Sequence, residues 1–157
     1  MTTPWSVLGV ALVLGSLVAT LVAGCVSSRE ETVSMAQLSA HARATVLKET
    51  AGGSVDSIVK EIEKGKVVYD VEATVGGKHA EFLISDTDGA VLGTETQIEF
   101  SELPEPVRAA GQRFFGSPDG LTIMKGVEYG ETHYEIEGKR KGKIVEVTFD
   151  PAGKRTE

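Results

Sequence analysis

Side chains that could carry covalent or metal chemistry are few in this chain and widely spaced. Its 157 residues include one cysteine, Cys25, and three histidines, His41, His79 and His133. A single cysteine cannot form a disulfide within the chain, and one cysteine with three scattered histidines lacks the ligand spacing of a zinc site. The histidines are therefore interpreted as surface residues, and neither a metal site nor a cofactor is predicted.

One loop has the start of a calcium-binding pattern but does not complete it. Residues 85–90 read SDTDGA, yet with Asp86 as the first ligand the twelfth position falls on Gln97, where a bidentate glutamate is needed. An Asp-Gly hairpin turn is the better interpretation. The sequence also has no glycine-rich phosphate loop and no nucleophile elbow. We therefore expect a protein that is not an enzyme.

Cys25 lies where an apolar stretch ends and a polar sequence begins. Residues 7–22 carry no charge and number about sixteen, fewer than the ~20 that a membrane-spanning helix needs. The preceding residues, Val22, Ala23 and Gly24, complete a resemblance to the bacterial lipobox. The alternative is an ordinary membrane anchor that contains an incidental cysteine.

The lipobox resemblance implies a lipoprotein signal peptide, residues 1–24, that is cleaved before Cys25. It further implies a diacylglyceryl thioether on Cys25 and acylation of the freed amine, for example with palmitate. Two or more acyl chains hold a protein stably on a membrane. The resemblance therefore implies an extracytoplasmic protein with a lipid anchor in a bacterial membrane, on the periplasmic face in a Gram-negative cell.

The chain beyond this leader is acidic. Its 16 basic and 23 acidic residues give a formal net charge of −7. Such an excess of negative charge repels phosphate groups, so a nucleic-acid partner is not expected. Residues 25–34 are polar and are interpreted as a tether between the membrane and a folded domain.

An internal repeat organises the rest of the chain. Residues 38–85 align without a gap on residues 103–150 at an offset of 65, and 12 of the 48 aligned pairs are identical. Residues 35–97 are therefore interpreted as repeat 1, and residues 98–157 as repeat 2.

Each repeat has the pattern of one helix followed by strands. In repeat 2, Leu103, Val107, Ala110 and Phe114 share one helical face, and Ser101 is a candidate cap for that helix. Apolar and polar residues then alternate, with glycines at the turns, as in antiparallel hairpins. The predicted fold is α+β: a tandem repeat of one helix plus three or four antiparallel strands, with the helices on one face of the sheet.

Repeat 2 also carries a family resemblance. Leu103-Pro104, Val107, Phe114, the strand at residues 123–127 and the segments HYEIEG and VEVTFDPAG resemble the PepSY-like family. The tandem arrangement is similar to that of β-lactamase-inhibitor-like proteins. PepSY-like domains are small, secreted or lipid-anchored bacterial domains, and the family implies inhibition of peptidases. It implies no set of catalytic residues.

Four glutamates at matched repeat positions define a candidate binding surface: Glu72, Glu81, Glu137 and Glu146. Their parity is opposite to that of the apolar residues, so we expect them to be exposed on the sheet face away from the helices. One interpretation is an ordinary solvated face, in which Lys78 and Lys143 pair with these glutamates across strands. The other is a broad, concave surface that binds a partner.

The predicted function is binding of an extracytoplasmic protein, with inhibition of a peptidase as one form of that binding. The alternative is a sensor or accessory subunit that binds a small ligand or an ion and modulates a membrane or cell-envelope complex. The sequence alone does not separate these two functions.

Overall fold

The computed structural model describes residues 30–156 and contains two helices and one sheet. The elements in chain order are β1 (Glu31–Thr32), α1 (Ala40–Glu49), β2 (Ser54–Glu63), β3 (Lys66–Val75), β4 (Lys78–Ser85), β5 (Val91–Gln97), α2 (Glu105–Phe115), β6 (Thr122–Glu128), β7 (Glu131–Arg140) and β8 (Lys143–Phe149). The predicted α+β class and antiparallel pairing are confirmed. None of the helices within residues 30–156 is both long and apolar enough to span a membrane.

The sheet has eight strands that lie side by side in chain order, each antiparallel to its neighbours. Tight hairpins produce four of these pairings, β2–β3, β3–β4, β6–β7 and β7–β8. The β2–β3 turn holds Lys64 and Gly65 at φ of 50° and 76°, and the β6–β7 turn holds Tyr129 and Gly130 at 48° and 86°. Two successive positive φ values match the right-handed twist of paired strands.

Two apolar clusters form the core, one for each helix. Ala42 and Val46 of α1 pack with strand residues that include Val71 and Ile84, all fully buried. The second cluster places α2 against β6, β7 and β8 through residues that include Val107, Ile136, Val147 and Phe149. The helix α2 lies very close to its strands: a Cβ on Gly111 would come within 2.7 Å of Ile136 Cδ1.

The start of α2 corrects one prediction. The helix begins at Glu105 with Pro104 as its N-cap, and no side chain caps it. Ser101, the expected cap, lies instead in a short 3-10 turn, Phe100–Glu102. Pro104 and Pro106 keep the fixed φ that suits the first turn, so the prolines place the helix start later than Ser101.

The described part of the expected tether is folded. Glu31 and Thr32 pair with Lys60 and Val59 at the outer edge of β2, and Val33 is buried in the first cluster. Because Val33 gains burial and its neighbours gain strand pairing, residues 31–33 belong to the domain. The predicted signal peptide and Cys25 lie outside the described residues.

Candidate functional site

One side of the sheet carries an unusual density of carboxylates. Cross-strand partners point to the same side of a sheet, so the strand register places eleven acidic residues together; they are Glu61, Glu63, Asp70, Glu72, Glu81, Glu95, Glu128, Glu131, Glu135, Glu137 and Glu146. We call this surface the acidic face. Two of the three histidines, His79 and His133, lie on it as well.

All four glutamates predicted from the repeat lie on the acidic face, but their exposure differs from expectation. Glu146 is exposed, whereas Glu72, Glu81 and Glu137 are half-buried. Val68 and Met124 point to the same side, and they are only 1% and 5% exposed. Neighbouring side chains therefore crowd over the middle of this face, and water reaches its centre only in part.

The lysine pairing expected for a solvated face is absent from the two predicted positions. Lys78 stands opposite Val75 and reaches Glu102, 3.8 Å away. Lys143 stands opposite Arg140. Both lysines occupy the strand parity that points away from the acidic face, because side chains alternate along a strand.

The acidic face is concave at one end. Tyr129 Oη donates a hydrogen bond of 2.8 Å to Glu63 Oε2, and Lys64 Nζ lies 3.5 Å from the centre of the Tyr129 ring. These contacts join the end of β2 to the turn after β6, four strand positions away, which is about 19 Å in a flat sheet. The two side chains meet only because the sheet curls toward the face that carries Glu63.

Like charges stand directly opposite one another across this face. Glu72 pairs with Glu81, Glu81 pairs with Glu95, and Glu137 pairs with Glu146. Directly opposed like charges destabilise a sheet, so the folded chain holds these carboxylates together at a cost in free energy.

The crowding changes the protonation of the deepest carboxyl groups. Burial, followed by repulsion from Glu81 and other acidic neighbours, raises the pKa of Asp70 from 3.8 to about 7. Burial, with Glu95 and Glu146 next in effect, raises the pKa of Glu135 from 4.5 to about 8. Removing water from a charged group, and placing like charges beside it, both favour the neutral acid. Part of the acidic face is therefore protonated near neutral pH.

His133 bridges strands at the centre of the face. Its partner across the β6–β7 ladder is Gly126, and the partner of Gly126 on β5 is Glu95. A Cβ on Gly126 would lie 2.1 Å from His133 Nε2, so only glycine lets the ring cross β6. The ring nitrogen reaches Glu95 Oε1 at 3.1 Å and lies 3.8 Å from Glu135 Oε1. The hydrogen bond with Glu95 raises the pKa of His133 above 6.5, against the opposing effect of burial.

Within residues 30–156, Glu95, His133 and Glu135 form the one group of three side chains whose potential metal-ligand atoms all lie within 4.8 Å of one another. This group is not recognisable from residue spacing, because its members come from β5 and β7, with α2 between them along the chain. The available signal was Gly126: a glycine inside a strand indicates that another group approaches closely. The His79 ring lies 2.9 Å from Glu81 Oε1.

Comparison with known proteins finds a family match for one segment of the chain. Residues 38–95 match the PepSY family, described as "Peptidase propeptide and YPEB domain". The match spans α1 and most of β2–β5, whereas the sequence resemblance was drawn mainly from repeat 2. No curated protein matches the chain significantly.

Proposed function

Because residues 38–95 match the PepSY family, we propose that this chain is a binding module that docks a basic surface of an extracytoplasmic protein onto its acidic face. The family description names peptidase propeptides, which favours a peptidase as the partner and inhibition as the outcome. The module binds without turnover, so its carboxylates act through charge and shape rather than as acids and bases.

The opposed glutamates of the acidic face are the observation that carries this proposal. The pairs Glu72–Glu81, Glu81–Glu95 and Glu137–Glu146 cost stability in the free protein. Lysine or arginine side chains of a partner would offset that repulsion when they enter the concave face. Complementary charge of this kind also speeds association and rejects acidic competitors.

We infer that the surface arose from a tandem repeat with both helices on one side of the sheet. The strands β3 and β7, and the starts of β4 and β8, are offset by 65 residues, the offset of the sequence repeat. Lys64 and Tyr129, at this offset, share a positive φ. Phe82 of β4 pairs with Thr94 of β5, and Thr94 pairs with Val127 of β6. Because cross-strand partners point to the same side, the apolar residues of the two clusters share one side of the sheet. Both helices therefore pack on the side opposite the acidic face. Duplication thereby doubles the area available to a partner.

We also propose that Cys25 carries the lipid anchor. The apolar stretch and the lipobox-like residues before it support this assignment, which would place the module on the outer side of a bacterial membrane. A partner in or near the same membrane fits such a location.

The test of partner binding is a pull-down from membranes with the full-length chain in mild detergent, followed by titration of the captured protein. The double variant E72K/E137K should weaken binding about tenfold or more and should reduce its sensitivity to salt. Its melting temperature should not fall, because each substitution turns a like-charge pair into an opposite pair.

The matched control is E105K/D119K, which makes the same change in net charge at exposed positions in and beside α2. This control should bind as the unmodified chain does. If both double variants lose affinity equally, binding depends on net charge alone. If only the control loses affinity, the binding site lies on the helix side. Hydrolysis of a peptide substrate by the purified chain would overturn the non-enzymatic proposal.

A second candidate function is that of an ion-dependent sensor or accessory subunit of a membrane or cell-envelope complex. The observation that favours it is the meeting of Glu95, His133 and Glu135 at the centre of the acidic face.

A further inference from the structure

We propose that Glu95, His133 and Glu135 bind a divalent transition-metal ion, of which Zn²⁺ is the best fit, at the centre of the acidic face. The inference stands independently of the proposed partner, because it concerns the free chain. The three ligands would be one imidazole nitrogen and one oxygen from each of two carboxylates.

The spacing of the donor atoms suits such an ion. Zn²⁺ binds nitrogen and carboxylate oxygen at about 2.0–2.2 Å, which places neighbouring ligands of a tetrahedral site about 3.4 Å apart. The distances from His133 Nε2 to the two carboxylate oxygens, 3.1 and 3.8 Å, bracket that value. The ion would therefore require only small side-chain rotations.

The donor chemistry selects the class of metal. Imidazole suits zinc, copper, nickel and iron, whereas calcium and magnesium prefer sites made entirely of oxygen. In their ionised forms the two carboxylates match the charge of a divalent ion, and they lie among further acids such as Glu81 and Glu128. A cation at this point would reduce the repulsion among these acids.

The site is held in place by the sheet. Glu95 lies inside β5, and His133 and Glu135 lie inside β7, so ladder hydrogen bonds fix their backbones. All three side chains are largely shielded, with 18–21% of their surface exposed. The space above Gly126, which a Cβ would fill, accommodates the ring between the two strands. Three protein ligands leave a fourth position for water or for a group from a partner.

His79 and Glu81 provide a control within the same face. Their contact of 2.9 Å resembles the His133–Glu95 contact, and both side chains are similarly shielded. Among residues 30–156, no third histidine, cysteine or acidic side chain joins this pair within 4.8 Å, the distance that groups Glu95, His133 and Glu135. A metal that merely associates with histidines on an acidic surface would be affected equally by changes at His79 and His133.

The experiment uses the full-length chain, purified in detergent and treated with a chelator to remove bound metal. Zinc chloride is titrated into this protein, and binding is measured by calorimetry. One equivalent of zinc should bind with micromolar or tighter affinity, and the melting temperature should rise as zinc is added. Millimolar calcium or magnesium should not displace it. His133→Gln should weaken zinc binding by about 100-fold and Glu135→Gln by about tenfold or more, judged against the tenfold to 100-fold effects of supporting residues. His79→Gln should leave zinc affinity unchanged.

Circular dichroism and melting of each variant without zinc establish that the fold is intact. If His133→Gln does not fold, Glu95→Gln and Glu135→Gln carry the test, because each keeps the shape of the side chain and replaces one acid in a crowded acidic cluster. Absence of binding at about 100 µM zinc, far above the expected micromolar range, would overturn the proposal. So would equal losses in His79→Gln and His133→Gln, or binding that every variant retains, which would indicate another site.

Discussion

Asp70 lies half-buried among acidic neighbours on four strands, and folding raises its pKa from 3.8 to about 7. The folded chain therefore binds this proton more tightly than the unfolded chain does. Stability contributed by the protonated form is present at acidic pH and is lost as the pH rises between about 4 and about 7. At pH 8 the ionised group opposes folding.

Asp70→Asn should therefore raise the free energy of unfolding at pH 8 by about 1–2 kcal/mol. It should have little effect at pH 4, where the native carboxyl group is already neutral. Urea denaturation at the two pH values measures this difference. Glu31→Gln removes one charge at an exposed position off the acidic face and should change stability by less than about 0.5 kcal/mol. A pH-independent effect of Asp70→Asn would contradict the expectation.

Gly126 permits the contact between His133 and Glu95. Gly126→Ala should break that contact while the protein still folds. The three atoms nearest the new methyl group all belong to the movable His133 ring, so we expect a stability change below about 1 kcal/mol. Zinc affinity should nevertheless fall. Gly111→Ala is the contrasting variant: its methyl group meets Ile136 in the core, and overpacking there should cost about 1–3 kcal/mol while zinc affinity is retained. Melting and zinc titration of both variants provide the comparison.

Among the elements, β8 is the strand that closes the second cluster. Phe149 is 3% exposed and packs with α2 residues and β7 residues. Phe149→Ala should lower the free energy of unfolding by about 3–5 kcal/mol, because it removes a large buried ring and leaves a cavity. Ile144→Ala, on the same strand but 68% exposed, should change it by less than about 0.5 kcal/mol. Chemical denaturation of the two variants measures the contrast, and similar losses would show that β8 is not anchored through Phe149.

The elements also show what could be predicted from the sequence. Hairpins such as β3–β4 were predictable, because alternation and the glycines at the turn determine them locally. The start of α2 was misplaced because Ser101 has a capping side chain but the prolines decide the start. The meeting of Glu95 with His133 was not predictable. It depends on the β5–β6 register, and α2 separates these strands along the chain, so no turn specifies that register.

For the molecule as a whole, membrane attachment remains a prediction from the sequence. Mass spectrometry of the membrane fraction should find an acylated N-terminal Cys25 and no residue before it. Cys25→Ser should shift the protein from the detergent phase to the aqueous phase, because the thioether cannot form. Recovery of an intact Met1 terminus would contradict the lipobox assignment.

The short strand β1 has a consequence for where the acidic face can act. If Cys25 carries the lipid, six residue steps separate it from Glu31, where β1 begins. At about 3.6 Å per residue this segment spans at most about 22 Å. Anionic headgroups repel carboxylates within a screening length of about 8–10 Å, so the acidic face would turn outward. So short a connection to the membrane raises the effective concentration of the module near targets in the same membrane. Such targets can be bound even where the intrinsic affinity is low.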